Sequence, residues 1–301
     1  MKNLKNLLLI SVLLLIACSE NTTPDRNSVQ SYYITGILEE GSYIDAERAI
    51  KIGRTQEIEN AECDLLSISE ALVTLYEKLD DEIMNSVILE WNVEARGYID
   101  RYQNIMITEN RIYRLEVLLP MGDMMSAETT VPLRIDVYAD SLVSEESAFG
   151  DYPADDQWSE LQLSMANSEH PIQIGTQNDE EFNLYTEIYC LEEYWEAEYT
   201  YPEEDNVFPL DEKEYMGSVQ QYPRRNLSYF MYQPVNGIVN YNCYQSSILF
   251  YGRTEVSVYS IDSNYLNYLY KSDGYTAGGI VGGIGVLGSR SGKKLYTRVI
   301  K

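Results

Sequence analysis

The sequence is short of the residues that carry most enzyme chemistry. It has one histidine, His170, and four cysteines in 301 residues. A Ser-His-Asp or Cys-His nucleophile system would have to use His170. That residue sits among polar neighbours before Pro171 and reads as an exposed loop position, and no G-x-S-x-G elbow accompanies it. Zinc chemistry lacks ligands, because no Cys-x-x-Cys or Cys/His spacing occurs. No catalytic residue, metal ligand or cofactor is therefore predicted, and no motif assigns a ligand-binding residue. Basic residues are also scarce: 22 Lys and Arg stand against 48 Asp and Glu, a net charge of −26. So acidic a surface excludes nucleic acid and anionic headgroups as partners and reads first as a solubility device. Phenylalanine is rare, five residues against 27 tyrosines. Beyond the first 17 residues no stretch is apolar enough to cross a bilayer. No repeat of 20–50 residues implies a solenoid or propeller.

What is present begins at the start of the chain. Lys2 and Lys5 lead into the apolar run Leu7 to Ala17, which stops at Cys18. Basic start, short apolar core and a small residue before the cut are the parts of a secretory signal. Leu15-Ile16-Ala17-Cys18 reads as a bacterial lipobox, with cleavage before Cys18 and lipid on its thiol. Stable anchoring takes two or more acyl chains, and bacterial lipoproteins typically carry three, palmitate among them. Residues 1–17 are thus the lipoprotein signal peptide. Residues 18–31 are the lipidated cysteine and a polar, flexible tether. Ser19 is not the aspartate that retains lipoproteins at the inner membrane in the best-studied sorting system. This favours a bacterial outer-membrane location, on either the periplasmic or the surface face. Cleavage would remove two basic residues and no acidic ones, leaving a mature net charge of −28.

Lipidation of Cys18 leaves Cys63, Cys190 and Cys243, an odd number in a compartment that permits disulfides. Cys190 and Cys243 are the candidate disulfide pair, with buried thiols as the alternative. From Ile135 to Glu212 there are 22 acidic residues and no Lys or Arg, whereas Met216 to Lys301 holds nine basic residues and three acids. The two stretches are expected to touch and pair charge. Failing that, the acidic stretch is a candidate divalent-cation surface, against the simpler reading of a solvated face.

Most of the mature chain reads as β-strand, rich in Tyr, Val, Ile and Thr with apolar residues alternating with polar ones. The predicted strands include Tyr32–Leu38, Ile50–Arg54, Leu72–Glu77, Val87–Tyr98, Ile112–Leu118 and Met125–Pro132. This density predicts an antiparallel sandwich over 32–132. The turn 108–111 before Tyr113 resembles the tyrosine corner of immunoglobulin-like domains. Residues 133–301 are expected to form a second β-rich domain, with strands at Leu133–Ala139, Phe182–Thr200, Leu227–Tyr232, Ile238–Tyr244, Ser247–Gly252 and Thr254–Ile261. One short C-terminal helix is predicted at Asn264–Tyr270, capped by Asp262 or Ser263 and ended by Gly274. A final hairpin is predicted around Ser291-Gly292. Gly283, Gly285 and Gly288 satisfy G-x-G-x-x-G, but a helix precedes them and strand follows, so close backbone packing is the better reading than dinucleotide binding. Paired acids such as Glu192-Glu193 and Glu203-Glu204 are too abundant to single out a glycosidase pair. The tyrosines, with Trp195, serve either as sheet filler or as a binding surface.

These features together resemble a family of bacterial lipoproteins found mainly in Bacteroidetes and catalogued as domain of unknown function 4249. Its members are often encoded beside TonB-dependent receptors. The resemblance rests on Cys18 with its tether, on Ala71–Tyr76, Ile107–Val117 and Ala127–Pro132, and on Val256–Leu269 followed by Gly282–Ser289. Leu287 stands where the family usually has an aromatic, and the link Tyr270–Ile280 is short. The resemblance implies an immunoglobulin-like N-terminal module and a C-terminal signature. The family has no established activity, so it supplies no catalytic residue. The expected role is a non-enzymatic binding or accessory subunit, with an outer-membrane transporter as candidate partner. A glycan-binding surface lipoprotein is the alternative, and a carboxylate-based hydrolase comes third.

Overall fold

The computed structural model describes residues 31–55, 67–80, 82–139, 142–144, 152–153, 157–163, 171–193, 197–200, 207–209, 220–222 and 224–301. Cys18, Cys63, His170, Trp195, Glu203 and Glu204 fall outside them. The first stretch holds β1 (Tyr32–Glu39), β2 (Lys51–Arg54), β3 (Leu72–Leu79), β4 (Glu82–Asn92), β5 (Gly97–Ile99), β6 (Ile112–Leu118) and β7 (Met124–Thr130). Period-two patterning drives them: Tyr113, Leu115 and Val117 of β6 are buried, while Arg114 and Leu118 face out. The expected strand Val87–Tyr98 is instead two strands. The Asn92 side chain accepts a hydrogen bond from Ala95 N at 2.9 Å and closes a turn, and Arg96 adopts φ 49°.

The second stretch is also mostly β. It holds β8 (Ile135–Tyr138), β9 (Val143–Ser144), β10 (Glu160–Gln162), β11 (Ile172–Thr176), β12 (Phe182–Cys190) and β13 (Glu198–Tyr199). There follow β14 (Val207–Pro209), β15 (Gln220–Tyr222), β16 (Arg225–Tyr232), β17 (Ile238–Tyr241) and β18 (Phe250–Ile261). Helix α1 (Ser263–Tyr270) comes next, then a four-residue α2 (Gly274–Ala277), β19 (Ile280–Val281) and the long β20 (Ile284–Ile300). Thus α1 ends at Tyr270, and Gly274 opens the next helical turn rather than closing α1.

Two sheets dominate. One runs β16-β12-β18-β20-β1-β2, with β9, β10 and β13 attached, and the other runs β19-β7-β6-β3-β4-β5. The first core lies between the β1–β2 end of the long sheet and the six-stranded sheet. Ile34, Ile50 and Ile52 meet Val73, Leu115, Val117 and Met125 there. Leu287, at the position where the resemblance implies a usual aromatic, is fully buried in this core. The second core lies between the other end of the long sheet and a three-stranded sheet, β17-β11-β8. It joins Leu184, Val256, Val258 and Leu295 to Ile172, Ile174 and Val137. On the opposite face α1 lays Tyr265, Leu266 and Leu269 over Tyr185, Tyr259 and Ile261. With both faces covered, every residue of β18 from Thr254 to Ile261 is buried, the polar Thr254, Glu255, Ser257 and Ser260 among them.

β20 connects the two cores. Its first half pairs in parallel with β1, and its second half pairs antiparallel with β18. β19 returns to the six-stranded sheet beside β7. The chain therefore leaves the first sandwich at residue 132 and comes back to it at residue 280. The predicted hairpin at Ser291-Gly292 is absent, since β20 runs straight through it. Gly292 adopts φ 149°, and a Cβ there would collide with the Val258 carbonyl. Glycine at this point allows β18 to approach rather than reversing the chain. Gly285, at φ 107°, does the same for the Ile34 carbonyl of β1. That accounts for the middle glycine of the G-x-G-x-x-G run.

Tyr113 is fully buried at the start of β6. Its hydroxyl accepts from Thr108 N at 2.9 Å and donates to Met106 O at 3.3 Å. This is tyrosine-corner geometry, and burial pushes the phenol up to about 12. Replacing Tyr113 with Phe should cost about 1–2 kcal/mol, since Thr108 N loses its acceptor. Urea unfolding of the two proteins checks this.

Candidate functional site

The polar side chains concentrate where the two sandwiches join. Asp262 caps α1, accepting from Tyr265 N at 3.0 Å and Asn264 N at 3.1 Å. The same carboxylate accepts from Ser289 N at 2.9 Å and from Thr129 Oγ at 2.8 Å. Ser289 Oγ lies 3.0 Å from Thr129 Oγ and donates to Thr130 O at 3.0 Å. Asn264 reaches across to Glu128 O at 2.7 Å and Leu287 O at 3.0 Å. One carboxylate and one amide thus tie α1 and β20 to β7, an element of the first sandwich. Burial holds the Asp262 carboxyl above its ordinary value, outweighing the hydrogen bonds that favour its charged form. Asp262 is thus the cap the sequence offered, and it is also the joint, which the sequence did not signal.

A second polar contact completes the joint. Arg290 is the last residue of β20 opposite β1 and the first opposite β18. Its guanidinium donates to Glu39 Oε2 at 2.6 and 3.1 Å and stands 4.1 Å from the ring centre of Tyr259. Burial alone would raise Glu39, but Arg290 reverses the effect and holds it below its ordinary value.

Beside this seam opens a cleft of about 230 Å3. Its walls are the linker Pro132–Ile135, the turn from Thr176 to Asn183 and the end of β18 at Ser260 and Ile261. The turn is pinned. Asp179 accepts from Gly237 N at 2.6 Å, and Thr176 Oγ donates to Asn178 O at 2.7 Å. Glu109 clasps both walls, accepting from Arg134 N at 2.6 Å and from Gln177 Nε2 at 2.9 Å. Amides, the exposed carboxylates of Glu180 and Glu181 and the Arg134 guanidinium surround the apolar Phe182 and Ile135. The arrangement can exchange hydrogen bonds with a guest.

The other sequence candidates fall elsewhere. Cys190 is buried at the end of β12, near Ser247 and Ile248. Cys243 opens the 3-10 turn Cys243–Ser247, and its side chain lies outside what is described. Glu192 is held by Arg253 through Nε at 3.1 Å and Nη2 at 3.0 Å. Glu187 pairs with Arg225 at 2.7 Å and Glu198 with Lys301 at 2.6 Å. The acidic and basic stretches thus pair as expected. Among the described residues no three His, Cys, Asp or Glu side chains are placed to hold a metal ion. No helix among them is long and apolar enough to cross a membrane.

The elements that build the seam and the cleft lie almost wholly within one family's span. The family described as Domain of unknown function (DUF4249) matches residues 28–280. The chain belongs to this family. That DUF4249 span takes in Asp262, Thr129 and the cleft turn, while Ser289 and Arg290 follow it. No curated protein matches the chain.

Proposed function

We propose that this DUF4249 protein is a lipid-anchored, non-enzymatic binding subunit of the bacterial outer membrane. The seam cleft is its recognition site, and an outer-membrane transporter of the TonB-dependent kind is its partner. Cys18 carries the anchor. The first sandwich serves as an immunoglobulin-like docking module, a reading supported by the Tyr113 corner. The observation that carries the recognition site is the size and rigidity of the cleft. At about 230 Å3 it falls below the roughly 300–1,000 Å3 of small-molecule and cofactor pockets. It suits a side chain or two of a partner's loop, and the pinned turn presents it preformed. Affinity purification from gently solubilised membranes tests this. A stoichiometric outer-membrane protein is expected with the native chain and much less with Asn178→Ala/Glu181→Ala. Recovery of the lipoprotein with no membrane protein bound overturns the accessory role.

A second reading is favoured by Phe182, which lies among the amides of Gln177, Asn178 and Asn183. An apolar ring surrounded by amides can stack and hydrogen-bond one sugar. Tyr185, one of the tyrosines considered for this role, is buried under α1. A glycan array without hits removes the glycan reading.

A further inference from the structure

We propose that one end of the first sandwich rests on a zwitterionic phospholipid surface, the bilayer that holds the anchor. This rests on the reading of Cys18 as lipidated. The register places Leu72, Leu118 and Met124 directly opposite one another on the outward face of β3, β6 and β7. Val281 and Ile88 flank this row, one register step away, beside Ser126 and Thr74. Met121 in the β6–β7 turn and Val93 in the β4–β5 turn extend the row beyond the same end of the sheet. Met121 is 85 % exposed, Val93 76 %, Val281 67 % and Met124 61 %. Single exposed apolar side chains are ordinary. A set running from one turn to the next across neighbouring strands marks a contact surface.

The start of the described chain indicates what covers it. β1 begins at this end: Tyr32 pairs with Arg54. A Cβ on Gly283 would lie 2.8 Å from Tyr32 O and 2.7 Å from Met125 Sδ. Tyr32 is therefore adjacent to the first turn of chain in β7, where Met124 points outward. The residues between Cys18 and Tyr32 span at most roughly 50 Å when fully extended. The tether from Cys18 joins the folded part at this end, so the anchor draws this end, and not the β3–β4 tip, toward the bilayer. Charge selects the lipid. A protein this acidic is repelled by anionic headgroups, whereas a cluster of uncharged thioether and aliphatic side chains can enter the interface of a zwitterionic bilayer.

The test uses the full lipidated chain in phosphatidylcholine vesicles with brominated acyl chains, which quench nearby tryptophan. Met121→Trp reports on the proposed contact. Glu82→Trp, at the opposite end of the sheet, is the control. The signal added by each variant over the native chain is read. At least twofold quenching is expected at position 121 and none at position 82. Adding Leu118→Asp/Met124→Asp, both on exposed positions, should abolish the quenching at 121. A vesicle-bound chain with position 121 unquenched, or with both positions quenched alike, overturns this proposal alone. So does a change at position 121 that follows protein concentration instead of brominated lipid, since it assigns the surface to a second copy. A chain that carries no lipid on Cys18 and stays in the supernatant overturns the anchor, and the proposal with it.

Discussion

Arg290→Met is expected to be strongly destabilising. It removes the cation that sits where the two halves of β20 meet, and leaves the desolvated Glu39 with only the longer contact to Arg48 at 3.6 Å. Removing one member of a buried ion pair typically costs about 3–5 kcal/mol. Here 24 % of the Arg290 side chain remains exposed, so solvent screening lowers the expected loss to about 2–4 kcal/mol. Equilibrium unfolding in urea measures it. The double variant Glu39→Leu/Arg290→Met should recover most of the loss, because no unpaired charge remains. The pH dependence follows from the shift at Glu39. Its folded pKa is depressed below the ordinary 4.5. Its stabilising contribution is therefore complete above that value and is lost as pH falls through the folded pKa. The stability gap between the native chain and Arg290→Met should narrow as pH drops from 7 to 3. A gap independent of pH would show that the pair contributes packing and not charge.

Asp262→Ala is expected to come second, at about 2–3 kcal/mol. Three backbone N–H groups, those of Asn264, Tyr265 and Ser289, lose their acceptor, and α1 loses its cap. The loss stays below the sum of these contributions because the carboxylate is itself costly to bury. Its pKa is raised by burial, so the ionised form opposes folding and stability is regained as pH falls through the folded pKa. This is opposite in sign to Glu39. Asp262→Ala should therefore be more damaging relative to the native chain at pH 4 than at pH 7. It should also loosen β7 and α1 together, seen as faster amide exchange at both Thr130 and Leu266. Faster exchange in α1 alone would reduce Asp262 to a cap.

The strands whose neighbours share one face were legible from the residues alone. β6 is the clearest case, because its alternation follows from burial on one side and solvent on the other. The α1 cap was legible for a similar local reason: an aspartate before an apolar 3.6-residue pattern needs no distant partner. The joint was not, because Thr129 and Ser289 lie 133 and 27 residues from Asp262 and nothing local marks them. The pairing of β1 with β20 is hidden in the same way. Gly292 misled in the other direction. A glycine in a strand and a glycine in a turn look alike in sequence, and only the approach of Val258 distinguishes them. The cleft was invisible because its walls come from three separate segments, although Glu109, which clasps two of them, lies in a turn that the sequence had singled out for Tyr113.

The proposed lipid anchor at Cys18 is tested most directly by intact mass spectrometry of the protein extracted from membranes. The predicted result is a chain lacking residues 1–17 and bearing a diacylglyceryl group and an amide-linked acyl chain on Cys18, with both lipid and membrane retention lost in Cys18→Ser. A chain that begins elsewhere, or that carries no lipid, would contradict it.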